Sequence, residues 1–155
     1  MQYWLFKSEP EAFSIDDLAR APGGRTGWDG VRNYQVRNMM RDVMHRGDRG
    51  LFYHSSCDVP GVYGTVEIVR AGYPEPSALD PRHRYYDPES DPAAPRWYAV
   101  DVRITRRFAQ PITLETLRRY VDDELKDLLI LRRGNRLSIT PLTADQYRFI
   151  VSLAK

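Results

Sequence analysis

The sequence is poor in the residues that build covalent or metal-centred chemistry. It has one cysteine, Cys57, so no disulfide can form within the chain. That usage fits a reducing compartment and sets the expectation of a cytoplasmic protein. The three histidines, His45, His54 and His83, show no paired ligand spacing and no second cysteine joins them, so neither a metal nor a cofactor is expected. No apolar run is long enough to cross a bilayer, and Met1-Gln2-Tyr3-Trp4 lacks the charged and then apolar plan of a secretory leader. Net charge is only +2, too small for the whole-molecule field to announce a polyanionic partner. Gly23-Gly24 lacks the strand, lysine and helix context of a phosphate-binding loop.

What is present is an ordinary globular balance with a surplus of aromatics. At 155 residues and 42% apolar content, the chain reads as a single domain over 1–155 with a sizeable core. Ten tyrosines and three tryptophans exceed what one core of this size needs, and several fall in segments that read as loops. Tyr3-Trp4-Leu5-Phe6 suits a strand buried on both faces and stopped by Pro10. Ser14 with Asp17 forms a capping box for a helix over 15–20, ended by Pro22-Gly23-Gly24. Val36, Met39, Met40, Val43 and Met44 have helical spacing, with Gly47 as the expected stop.

Strands are expected at 51–55, 61–70 and from Tyr98, where Val100, Val102 and Ile104 alternate with polar neighbours. A helix should begin at Thr113, a short strand at Leu137-Ser138-Ile139, and a final helix behind the capping box Thr143 to Gln146. The segment 73–97 carries six prolines with Tyr85, Tyr86 and Trp97, and reads as a long ordered loop packed on the body. Strands and helices mixed at long gaps indicate an α+β fold.

Catalytic readings are thin. His54 and Cys57 are three apart, which on a strand points them to opposite faces. The acidic groups look like a cap and a solvated turn. Trp28-Asp29-Gly30-Val31-Arg32-Asn33-Tyr34 stands out instead, with a tryptophan in a glycine-flanked loop just before a helix. Trp28 could be a lid packed on the body, or a platform that stacks on a planar ligand. Asn33 could cap the helix, or its amide could read a base edge as donor and acceptor.

Six segments carry a family resemblance. Lys7-Ser8-Glu9-Pro10, Trp28 through Gln35, Phe52-Tyr53-His54-Ser55, Tyr85-Tyr86-Asp87-Pro88, Pro95-Arg96-Trp97 and Arg136-Leu137-Ser138-Ile139 resemble EVE-domain signatures. They occur in the family's order and span essentially the whole chain. Two departures, Val36 where alanine is frequent and Ser56-Cys57 where asparagine is common, leave ligand preference open. The resemblance implies a PUA-like fold, a small curved β-barrel flanked by helices and related to YTH and SRA domains.

It also implies DNA or RNA carrying a modified base as partner, with methylated or hydroxymethylated cytosine turned out of the stack into an aromatic pocket. Trp28 would be a wall and Asn33 the edge reader, with Lys7, Ser8, Tyr53, His54, Ser55 and Trp97 lining the same cleft. Arg32, Arg37 and Arg41 would hold flanking phosphates. Stacking a base on an aromatic is worth roughly 1–3 kcal/mol. The expectation is a non-catalytic monomer without membrane attachment. Two rivals stand beside it: an enzyme using His54 as general base on a modified base, and a protein-interaction adaptor using 73–97.

Overall fold

The computed structural model describes all residues from Met1 to Lys155. Alternation along the first strand sets its plan. In β1 (Tyr3–Ser8), Trp4 and Phe6 point into one apolar core and Leu5 into another, because successive strand residues face opposite sides. A six-stranded sheet therefore separates two cores. Its order is β2 (Arg25–Trp28), β5 (Tyr98–Thr113), β4 (Gly61–Pro74), β3 (Arg49–His54), β1, β6 (Ile139–Leu142). β1 and β3 run parallel and every other neighbouring pair is antiparallel.

Helices cover both faces. Ile15 and Leu18 of α1 (Ile15–Arg20), with Val36 and Met40 of α2 (Tyr34–Asp42), pack on Trp4, Phe6, Phe52 and Val66. Leu117 of α3 (Leu114–Arg118) and Tyr147 and Ile150 of α4 (Ala144–Ser152) cover Leu5, Leu51 and Tyr53. The capping boxes form as their spacing requires. Ser14 accepts from the Asp17 N–H while Asp17 accepts from the Ser14 N–H, and Thr143 and Gln146 repeat the exchange.

Three expectations need correction. α2 ends at Asp42 rather than near Gly47, whose φ of +95° instead serves the turn into β3, where its N–H donates to Ile68 O. The strand from Tyr98 runs on to Thr113, and the register slips four times against β4, which bends both strands. The fold is α+β as expected, but the expected barrel is not closed: β2 and β6 remain the two edges of the sheet. Closure fails where four-residue β2 has only β5 as neighbour.

The connection from β4 to β5 is folded onto the body. Glu75 N–H donates to Trp97 O at its base and Asp87 N–H to Ala78 O across it, with one 3-10 turn at Pro76–Leu79. No helix is long and apolar enough to cross a membrane.

Candidate nucleic-acid interface

The open seam of the sheet is a cleft. Lys7 and Ser8 from the end of β1 and Ser138 just before β6 form one part of its lining, and the stretch from Thr26 to Val31 forms another. Glu9, Ala12 and Phe13 lead in from the β1 side, while Arg84 and Tyr85 arrive from the β4–β5 connection. The volume is about 270 Å³, and three aromatic side chains, Phe13, Trp28 and Tyr85, line it. An adjoining cleft of about 510 Å³ shares Thr26, Gly27 and Asp29 and adds Tyr73, Ser77, Asp80 and His83.

Trp28 is not in a loop. It is the last residue of edge strand β2, a strand too short and glycine-rich to show alternation. Its ring meets Phe6 edge-on at 5.1 Å and Phe52 at 5.6 Å between centroids, geometry that aromatic quadrupoles favour. The indole is thus braced on its core side and half-buried. Phe13 is held by Phe52 at 6.4 Å. Its carbonyl accepts from Ser8 Oγ at 2.6 Å, which ties the start of α1 to the end of β1.

Tyr85 owes its place to a glycine. A Cβ on Gly30 would lie 2.5 Å from the Tyr85 ring, and Gly30 has a φ of +77° that other residues resist. Glu75, whose side chain is fully buried, fixes both partners: it accepts from Gly30 N–H at 2.6 Å and from Arg32 at 2.7 and 3.1 Å. Arg32 in turn donates to Val31 O and Tyr85 O and lies over the Trp97 ring at 5.0 Å. Trp97 stacks on Tyr34 at 4.9 Å and donates to Asp87 at 2.7 Å. This pair, a buried Glu75 with a partly exposed Arg32, latches the β4–β5 connection to the segment after β2.

Placement separates the expected site residues. Lys7, Ser8 and Trp28 meet in the cleft. Asn33 does not: its side chain caps α2, accepting from Val36 N–H at 3.0 Å. Tyr53 lies in the core beneath α3 and α4, where burial pushes its phenol up to about 12. His54 is buried on the α1 side. Its Nε2 accepts from Ile15 N–H at 3.1 Å, its ring stacks on Tyr63, and burial lowers its pKa. The lone pair that a general base needs is therefore already engaged. Ser55 gives its N–H to Ser8 O but does not line the cleft, and Trp97 belongs to the latch.

The three arginines are placed differently from expectation as well. Arg32 is bound to Glu75, Arg37 donates to Arg96 O and lies over Tyr34 at 4.8 Å, and Arg41 pairs with Asp42 at 2.8 Å. Sequence reasoning passed over Phe13, Thr26 and Arg84 as lining residues. It also gave no site role to Glu9, Tyr85 and Ser138, although all three lie inside the recurring segments. Nothing in the sequence marks Arg84.

Charge around the cleft is mixed. Burial lowers the pKa of Lys7. Burial first, then the neighbouring Glu75 charge, raises that of Asp29, whose Oδ2 accepts from Ser77 Oγ at 3.2 Å. The arrangement can hold a flat, partly polar molecule against aromatics with cations close by.

Comparison with known proteins places the chain in a family. The EVE domain family model matches residues 2–153. Human thymocyte nuclear protein 1 is 40% identical over 97% of this chain and 73% of its own length. A solved structure of that human protein in complex with 5-methylcytosine containing DNA has a TM-score of 0.92 at 39% identity, covering 99% of this chain and 97% of that one. A Pseudomonas syringae structure is 44% identical with a TM-score of 0.89, covering 97% of this chain and 98% of that one. On the whole-length family match and these relatives, the chain belongs to the EVE-domain family.

Proposed function

We propose that this protein is a DNA-binding module that takes a modified cytosine, turned out of the duplex, into the cleft lined by Phe13, Trp28 and Tyr85. The observation that carries the reading is the aromatic lining of the open seam. The complex of human thymocyte nuclear protein 1 with 5-methylcytosine DNA, a close structural match, supports the ligand class. A base extruded from its stack loses its aromatic neighbours, and the three rings restore them at roughly 1–3 kcal/mol per stacking contact. A 5-methyl group buried among the same rings adds about 0.8 kcal/mol, or roughly a fourfold preference.

The role is binding rather than catalysis: His54, the base that the sequence offered, is engaged by the Ile15 N–H, and Asp29 accepts from Ser77 Oγ. The lone Cys57 supports a cytoplasmic setting as part of the same proposal. Equilibrium titration with a duplex carrying one 5-methylcytosine and with its unmodified twin tests it. Tighter binding of the modified duplex by a few fold is expected. Equal affinities would refute the reading.

A further inference from the structure

DNA binding draws on cations, and the arginines expected to hold phosphate are already bonded within the protein, as is Arg25 of β2. Arg32 serves Glu75, Arg37 serves Arg96 O, Arg41 serves Asp42, and Arg25 serves Asp101 at 2.7 Å. A guanidinium paired with a carboxylate forms a net-neutral unit with its best donors engaged, so Arg25, Arg32 and Arg41 are poor phosphate ligands, and Arg37, bonded to Arg96 O and lying over Tyr34, is outside the cleft lining. Two cations of the cleft lining differ. Lys7 has no carboxylate partner, and burial alone moves its pKa, with no neighbouring charge contributing. Arg84 makes no ion pair: it lies over the Tyr85 ring at 4.8 Å and reaches only the Tyr85 hydroxyl, at 3.2 Å. A guanidinium has five N–H donors, so most remain free.

We propose that Lys7 and Arg84 form a two-cation clamp for backbone phosphate beside the base held in the cleft, in place of Arg32, Arg37 and Arg41. The proposal rests on the reading of the cleft as a site for a base. The two cations come from separate elements, the end of β1 and the β4–β5 connection, and both line the volume that the aromatics line. A nucleotide whose base sits against Trp28 and Tyr85 keeps its phosphates at the cleft margin, because extrusion swings it about its own backbone.

A half-buried ammonium without a counter-ion is costly, and a phosphate relieves that cost on arrival. Two acids share the lining. Glu9 is exposed and unpaired, and Asp29 is engaged by Ser77 on the side of the adjoining cleft. Their charge repels phosphate, which directs the backbone toward Lys7 and Arg84 rather than leaving it free around the rim.

The test is a salt titration of the full chain and its variants K7Q, R84Q, K7R and R84K. Affinities for the 5-methylcytosine duplex and its unmodified twin are measured from 50 to 200 mM salt. Each lost phosphate contact lowers the slope of log affinity against log salt by roughly one. The wild-type advantage over each neutral variant should therefore shrink about 3.5-fold across that range. K7R and R84K should keep the wild-type slope, and the preference for the modified duplex should survive in all four. Unchanged slopes in K7Q and R84Q, or losses confined to the modified duplex, would overturn the clamp. Reduced slopes in a protein with no preference for the modified duplex would keep the clamp and refute the base reading, so the two failures are distinguishable.

Discussion

Two neighbouring regions are built from the same materials and differ in what they leave free. The latch, made by Arg32, Glu75, Tyr34, Arg37 and Trp97, combines arginines with aromatics. So does the cleft, with Lys7 and Arg84 beside Phe13, Trp28 and Tyr85. In the latch every charge is met by a carboxylate or a carbonyl, and Trp97 is covered by Tyr34. In the cleft the cations lack carboxylates and the rings line an open volume. Residue type alone does not make a ligand site. A group is available to a partner only when its bonding is not already satisfied within the protein.

Breaking the latch should produce the largest effect. Glu75→Ala leaves the partly exposed Arg32 and the half-buried Gly30 N–H without their acceptor. We expect a loss of about 2 kcal/mol in chemical unfolding, from the charge-assisted hydrogen bonds removed. Tyr85 would also lose its backing, so DNA affinity should fall with stability. A variant that keeps full stability would show that the latch is ornamental.

Asn33→Ala should be milder, because only an N-cap is removed. About 1 kcal/mol of unfolding free energy should be lost with the preference for modified DNA intact. Trp97→Phe removes the donor that, first among several influences, holds the Asp87 carboxyl below its ordinary value. A depressed carboxylate pKa adds stability above the unfolded value of about 3.9 and loses it as pH falls through the folded value. The stability gap between wild type and W97F should therefore be full at neutral pH and close below pH ~4. A gap that persists in strong acid would assign it to packing instead. The smallest effect is expected of Arg41→Gln, whose solvent-exposed pair with Asp42 should leave unfolding stability unchanged and whose salt slope for DNA should match the wild type.

The sequence was most legible where a bond is local. Ser14 with Asp17 and Thr143 with Gln146 lie three residues apart, and their caps follow from that spacing alone. The two-sided burial of β1 was readable in Trp4, Leu5 and Phe6 for the same reason. Legibility failed where partners are distant. Nothing near Arg32 announces Glu75, 43 residues away, so an arginine beside the expected pocket passed for a phosphate ligand. β2 escaped because its Gly27 leaves no alternation to see. Asn33 offered two honest roles, and only the Val36 N–H at its side chain decides for the cap. Tyr85 could not be paired with Gly30 without knowing how the β4–β5 connection folds back.

The central claim is that the cleft around Trp28, and not the cap at Asn33 or the latch, distinguishes a modified base. Measuring the ratio of affinities for the 5-methylcytosine duplex and its unmodified twin in Trp28→Ala and Asn33→Ala, side by side, tests it most directly. The account predicts a ratio near one for Trp28→Ala and the wild-type ratio for Asn33→Ala. A wild-type ratio in Trp28→Ala, or its loss in Asn33→Ala alone, would contradict it.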